Sequence, residues 1–288
     1  MYHSFIELKM NDPLRLGGAT AFFATFALPP ILIIFIQLFG LFINPDKVSD
    51  ELLQRLAHLL GNRSAQQIKI TLEAVNNLAQ NWYVTIFGFL FLLFVATTLF
   101  GVIKNSLDQI WNIRVRAGML VGLKNRIRSL LIILLAGLLF IVGLFTEGLQ
   151  VFLGNSMEEI WQGTGAFFFR AVNEFVFLII VTIWFSNLFR FLTAGRPDWN
   201  LAFAGGFFTG ILFTAGKLVL KQLLSYSNIG TIYGASGSMV LILLFVFYSA
   251  MMFYYGGCFV KILSETYQRP IRPIKNAYLF ELHEVERE

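Results

Sequence analysis

Six stretches of this chain, residues 19–43, 82–103, 130–153, 171–192, 199–224 and 232–263, are each long and apolar enough to form a bilayer-spanning helix. A hydrocarbon core about 30 Å thick is crossed by roughly 20 helical residues. With 57% of 288 residues hydrophobic, 32 of them Phe, and 14% charged, few stretches remain for a separate water-soluble domain. A transmembrane β-barrel would show alternating segments of roughly ten residues, and no such alternation is present. The expected fold is therefore all-α: a polytopic membrane bundle of six helices over residues 1–263, followed by a tail at 264–288.

Lys and Arg in short loops set the orientation of such a bundle. The connection at 104–129 holds Lys104, Arg114, Arg116, Lys124, Arg126 and Arg128, and Arg190, Arg196, Arg269, Arg272 and Lys275 follow later spans. The connection at 154–169 holds Glu158 and Glu159 and no basic residue. This asymmetry puts the 104–129 loop and both chain ends in the cytoplasm. No cleaved leader is expected, because residues 1–16 are mixed polar and the first apolar run is long enough to span. The basic loop also carries Ile110, Trp111 and Ile113, a composition suited to anionic lipid headgroups and not to nucleic acid. The single Cys258 leaves no internal disulfide.

Residues 44–81 read as an outer hairpin of two amphipathic helices that break at Gly61-Asn62. Leu52, Leu53, Leu56, Leu59 and Leu60 share one face, and Ile68, Leu72, Val75 and Ala79 another. The hairpin rests on headgroups or forms a lid over the outer mouth of the bundle. The tail at 275–288 is polar and reads as loosely ordered.

Lys217 stands among Gly, Ala, Phe, Leu, Ile, Val and Thr within the fifth span. An ammonium at bilayer depth costs about 3 kcal/mol on insertion scales and over 10 in simulations, so it faces a protein interior or a wet cavity and has a partner. Alternating span directions put Glu147, Glu174 and Lys217 at a similar depth in the outer half. Arg170 and Lys221 lie four residues from Glu174 and Lys217, on the same helix faces. These five residues form a candidate polar cluster, either a site or an ion pair that fixes helix register.

Ala202, Gly206, Gly210 and Thr214 make a small-residue stripe on the fifth span, a packing surface for another helix. Gly234 and Gly237 near the start of the sixth span, and Gly256-Gly257 near its end, permit close approach or bending. Pro29-Pro30 should kink the first span. The stripe can act within one chain or between copies, which leaves a homo-oligomer open. No metal-ligand cluster appears, because His3, His58 and His283 are scattered, and no nucleotide-binding loop is present. Neither a cofactor nor a metal is expected.

Three blocks resemble the BrkB/YihY family of bacterial inner-membrane proteins. They are ATAFFATFALPPILII at 19–34, SLDQIWN at 106–112, and the run 205–257 with GGFFTGILFTAGK, SYSNIGTIYGASGS and YYGGCF. Asp108 stands where the family signature usually has Asn. Cys258 and Phe259 follow Gly257 where the family often has Gly-Ala-Glu, so any role of that carboxylate is not carried over. The resemblance implies six spans, a multi-pass location in the cytoplasmic membrane, and a part in transport or envelope integrity, including serum resistance. Some members once carried a ribonuclease BN label. RNA cleavage needs general acid and base groups or a metal site, and these residues supply neither, so no enzymatic activity is expected. Two readings follow: a flippase-like exporter of an anionic solute or lipid, and a non-transporting membrane scaffold for envelope integrity.

Overall fold

The computed structural model describes residues 1–40, 49–50, 52–54, 57, 62–77, 82–116, 165–226 and 237–281. Long helices dominate them. They are α1 (Tyr2–Met10), α2 (Pro13–Gly40), α3 (Asn62–Asn77), α4 (Trp82–Ile110), α5 (Gly165–Asn187), α6 (Trp199–Tyr226) and α7 (Gly237–Thr266). A π turn, Leu188–Leu192, continues α5. Four short strands, β1 (Ile113–Val115), β2 (Gly195–Arg196), β3 (Arg272–Pro273) and β4 (Ala277–Leu279), complete the order. The expected third span and Glu147 lie outside the described residues, as do Gly61 and Gly234, while Asn62 of the expected break opens α3.

Helix limits follow local chemistry. Pro13 opens α2, where a missing N–H costs nothing. Asp198 precedes α6 and its carbonyl accepts the Ala202 N–H at 2.9 Å, a position at which Asp is favoured. Helix α2 continues through Pro29-Pro30. Gln268 ends α7 at φ 52°, with Arg269 N–H bonded to the Ser264 carbonyl at 2.9 Å and Gln268 N–H to that of Glu265 at 3.2 Å. That pair of bonds closes a helix with a left-handed residue, a place usually given to Gly.

The chain divides into two compact units. The second comprises Lys9–Ser106 and Ala215–Tyr254. Its apolar core holds Ala24, Ala27 and Leu99, covered by Phe23, Val95, Ile103 and Val246. Helix α3 packs on α2, with Ile68 and Leu72 of its apolar face buried. The hydroxyls of Thr20 and Tyr254 share a hydrogen bond of 2.5 Å, which satisfies two polar groups inside an apolar setting. Lys104 lies on α4 and is buried.

The first unit comprises Met1–Leu8, Leu107–Thr214 and Tyr255–Glu288. Here residues 275–281 depart from the loose order expected of the tail, whose last residues, 282–288, lie outside the described ones. Antiparallel β4 pairs with β1, Arg114 opposite Tyr278, and antiparallel β3 pairs with β2, Gly195 opposite Pro273. Bonds from Ile274 N–H to the Ala194 carbonyl and from Phe280 N–H to that of Asn112 extend both ladders. The reason is backbone satisfaction: the turns after α4 and after the π turn expose donors and acceptors that the tail pairs.

Candidate functional site

Within the first unit the end of α4, the turn after α5, the start of α6 and the end of α7 converge. Asp108 is 5% exposed, and its Oδ1 accepts the Ala194 N–H at 2.8 Å. Trp111 is buried, and its Nε1–H donates to the Gly257 carbonyl at 2.9 Å. Both side chains belong to the SLDQIWN block, and Gly257 belongs to the run at 205–257, so two blocks far apart in sequence are joined by a hydrogen bond. An Asn side chain could accept the same bond.

Glycine makes this convergence possible. A Cβ on Gly195 would stand 2.8 Å from Ile271 and 2.9 Å from Trp111. One on Gly205 would strike Val260, one on Gly256 would strike Thr209, and one on Gly257 would meet Leu107. Gly206 and Gly210 of the small-residue stripe face Thr182 of α5, and Ala202 is fully buried. The stripe is thus occupied, at these positions, by contact with α5 in the same chain.

Next to Trp111 opens a cavity of about 380 Å³ whose lining includes Asn112, Lys261, Ser264, Glu265 and Phe280. The Lys261 ammonium pairs with the Glu7 carboxylate at 2.7 Å, their side chains 14% and 18% exposed. Sequence reasoning missed this pair. A charge in the last turns of an apolar helix was the available signal at Lys261, but nothing local marks Glu7 as its partner.

The proposed intramembrane cluster is placed only in part. Glu174 lies on α5 in the first unit and Lys217 on α6 in the second, both half-buried and both engaged in interactions. Arg170 and Lys221 lie on α5 and α6, with their side chains outside the described residues.

Among the described residues two helical segments, Glu174–Leu192 and Met239–Thr266, are long and apolar enough to cross a membrane. With the helix-dominated fold they fit the class of helical membrane proteins. The chain belongs to the virulence factor BrkB family, whose model matches residues 5–278. Neither a curated protein nor a solved structure matches it.

Proposed function

We propose that the chain is a six-span protein of the bacterial cytoplasmic membrane, both ends inside, that exports an anionic solute or lipid in a flippase-like manner. Its apolar exposure supports the multi-pass reading. Phe175, Ile179 and Ile183 recur every four residues on α5 at 63%, 43% and 37% exposure. Phe203, Phe207 and Ile211 do the same on α6, and Phe22 and Phe26 on α2. Stripes of this size in water would be costly, at about 25 cal/mol per Å² of apolar surface, whereas lipid tails accept them.

The observation that carries the exporter reading is Lys217. It lies 18 residues beyond Trp199, about 27 Å along α6 at about 1.5 Å per residue, in the outer part of a core about 30 Å thick. An ammonium there is positioned to attract a phosphate or carboxylate while its stem stays in the apolar layer. On the cytoplasmic side the exposed Arg114 and Arg116 of the basic loop suit anionic lipid headgroups. No catalytic role and no nucleic-acid partner belong to this reading.

One observation favours the scaffold reading. The contacts at Gly205, Gly206 and Gly256 leave no room for a methyl group, which suits helices held in one arrangement. Native mass spectrometry separates the two readings by comparing the parent with Lys217→Met for co-purifying anionic lipid or solute. Loss of a bound species from the folded variant supports the exporter. Identical spectra leave Lys217 as an ion-pair partner and favour the scaffold.

A further inference from the structure

Helix α1 has its faces reversed for a helix in water. Ser4 and Leu8 are buried, and Glu7 is held by Lys261. The opposite face shows Tyr2 at 73%, Phe5 at 57%, Ile6 at 39% and Met10 at 76% exposure, with exposed Lys9 among them. At about 100° per residue these five positions fall on one side of the helix.

The place of α1 along α7 says what covers that side. Tyr255 donates to the Met1 carbonyl at 3.3 Å, the rings of Tyr255 and Phe5 stand 6.3 Å apart edge to face, and Lys261 holds Glu7. Met1 and Phe5 both meet Tyr255 and Glu7 meets Lys261, so α1 lies against this part of α7. Helix α7 has 30 residues, about 45 Å of helix against a hydrocarbon core about 30 Å thick. Its first two-thirds are apolar, while Lys261, Ser264 and Glu265 stand in its last turns. The surplus length therefore emerges at the C-terminal end, which puts Tyr255 to Lys261 at the boundary between acyl chains and headgroups.

We propose that α1 is an interfacial anchor whose Tyr2, Phe5, Ile6 and Met10 enter the headgroup-acyl boundary of the cytoplasmic leaflet, with Lys9 directed at lipid phosphate. The occupant of this face is the lipid surface. Aromatic rings with a polar edge and a Lys on the same face match that layer, and the Glu7–Lys261 pair fixes the helix against the emerging end of α7. The proposal rests on the membrane location given above and extends it to a segment that is too short and too polar to span.

The test uses the full chain with Cys258→Ser, reconstituted in vesicles of phosphatidylethanolamine and phosphatidylglycerol. Phe5→Cys and Ile6→Cys are labelled separately with an environment-sensitive fluorophore, with Lys275→Cys on the exposed turn before β4 as the reference. The expected result is blue-shifted emission at positions 5 and 6 and loss of intensity with lipids spin-labelled near the headgroup. Emission matching position 275, without quenching, overturns the proposal. A blue shift without lipid quenching also overturns it, because protein, such as a second copy of the chain, then covers the face. Alkaline carbonate extraction keeps the two levels apart: release of the protein from the vesicles refutes the membrane location itself, while retention with unquenched label refutes the anchor alone.

Discussion

Gly206→Ala offers a direct measure of how tightly α6 is set on α5. The added methyl would strike Ser186 Oγ and stand 2.6 Å from the Thr182 carbonyl oxygen and 2.9 Å from the Ser186 nitrogen. Two of these atoms are backbone and cannot rotate away. The third already donates to Thr182 O at 2.6 Å, so moving it breaks a bond. The helices must separate, and overpacking of this kind costs about 1–3 kcal/mol, here near the upper end. Replacing a mid-helix Gly with Ala returns about 1 kcal/mol of helix propensity. The net loss is about 2 kcal/mol, and at about 2–4 °C per kcal/mol the midpoint of melting falls by roughly 4–8 °C. Gly18→Ala is the internal control. Its Cβ meets nothing within 4 Å, so it keeps the propensity gain alone and melts about 2–4 °C higher. Cys258 supplies the assay: it is the single cysteine and fully buried, so its reaction with a maleimide dye on heating reports unfolding. If Gly206→Ala melts at or above the parent, the close packing of α6 on α5 is refuted.

Two further outcomes use the same melting assay. Asp108→Asn keeps the acceptor for the Ala194 N–H and melts close to the parent, whereas Asp108→Ala leaves that buried donor unpaired and loses about 1–3 kcal/mol; equal behaviour of the two would remove the hydrogen bond from the account. Gln268→Gly relieves a left-handed residue that costs roughly 1–2 kcal/mol and gives back about 0.5–1 to the freer unfolded chain, so a rise of one to a few °C is expected and a lower midpoint would contradict the strained helix end.

Some of this architecture is legible in the residues and some is not. The interval 199–224 became α6, Trp199–Tyr226, and 82–103 became the greater part of α4, Trp82–Ile110. The interval 171–192 became α5 closed by a π turn. The candidate site divides in the same way. The SLDQIWN block and the glycine-rich run could be named in advance as resemblances, but not the bonds from Asp108 to Ala194 and from Trp111 to Gly257, which join residues 86 and 146 positions apart. The Glu7–Lys261 pair spans 254 positions.

By itself the sequence determined that this chain forms long apolar helices, because an uninterrupted run of hydrophobic residues must satisfy its own backbone within one segment. The small-residue spacing on α6 likewise marked a contact face, because only residues without bulk let two helices approach closely. The tertiary structure alone decided which helix fills that face, which backbone group the Asp108 carboxylate holds, and that the described part of the polar tail pairs as strands. Strands of two and three residues have no signature in their own composition. They exist because the tail supplies hydrogen-bond partners to distant turns, and a partner's identity depends on where the whole chain has already been placed.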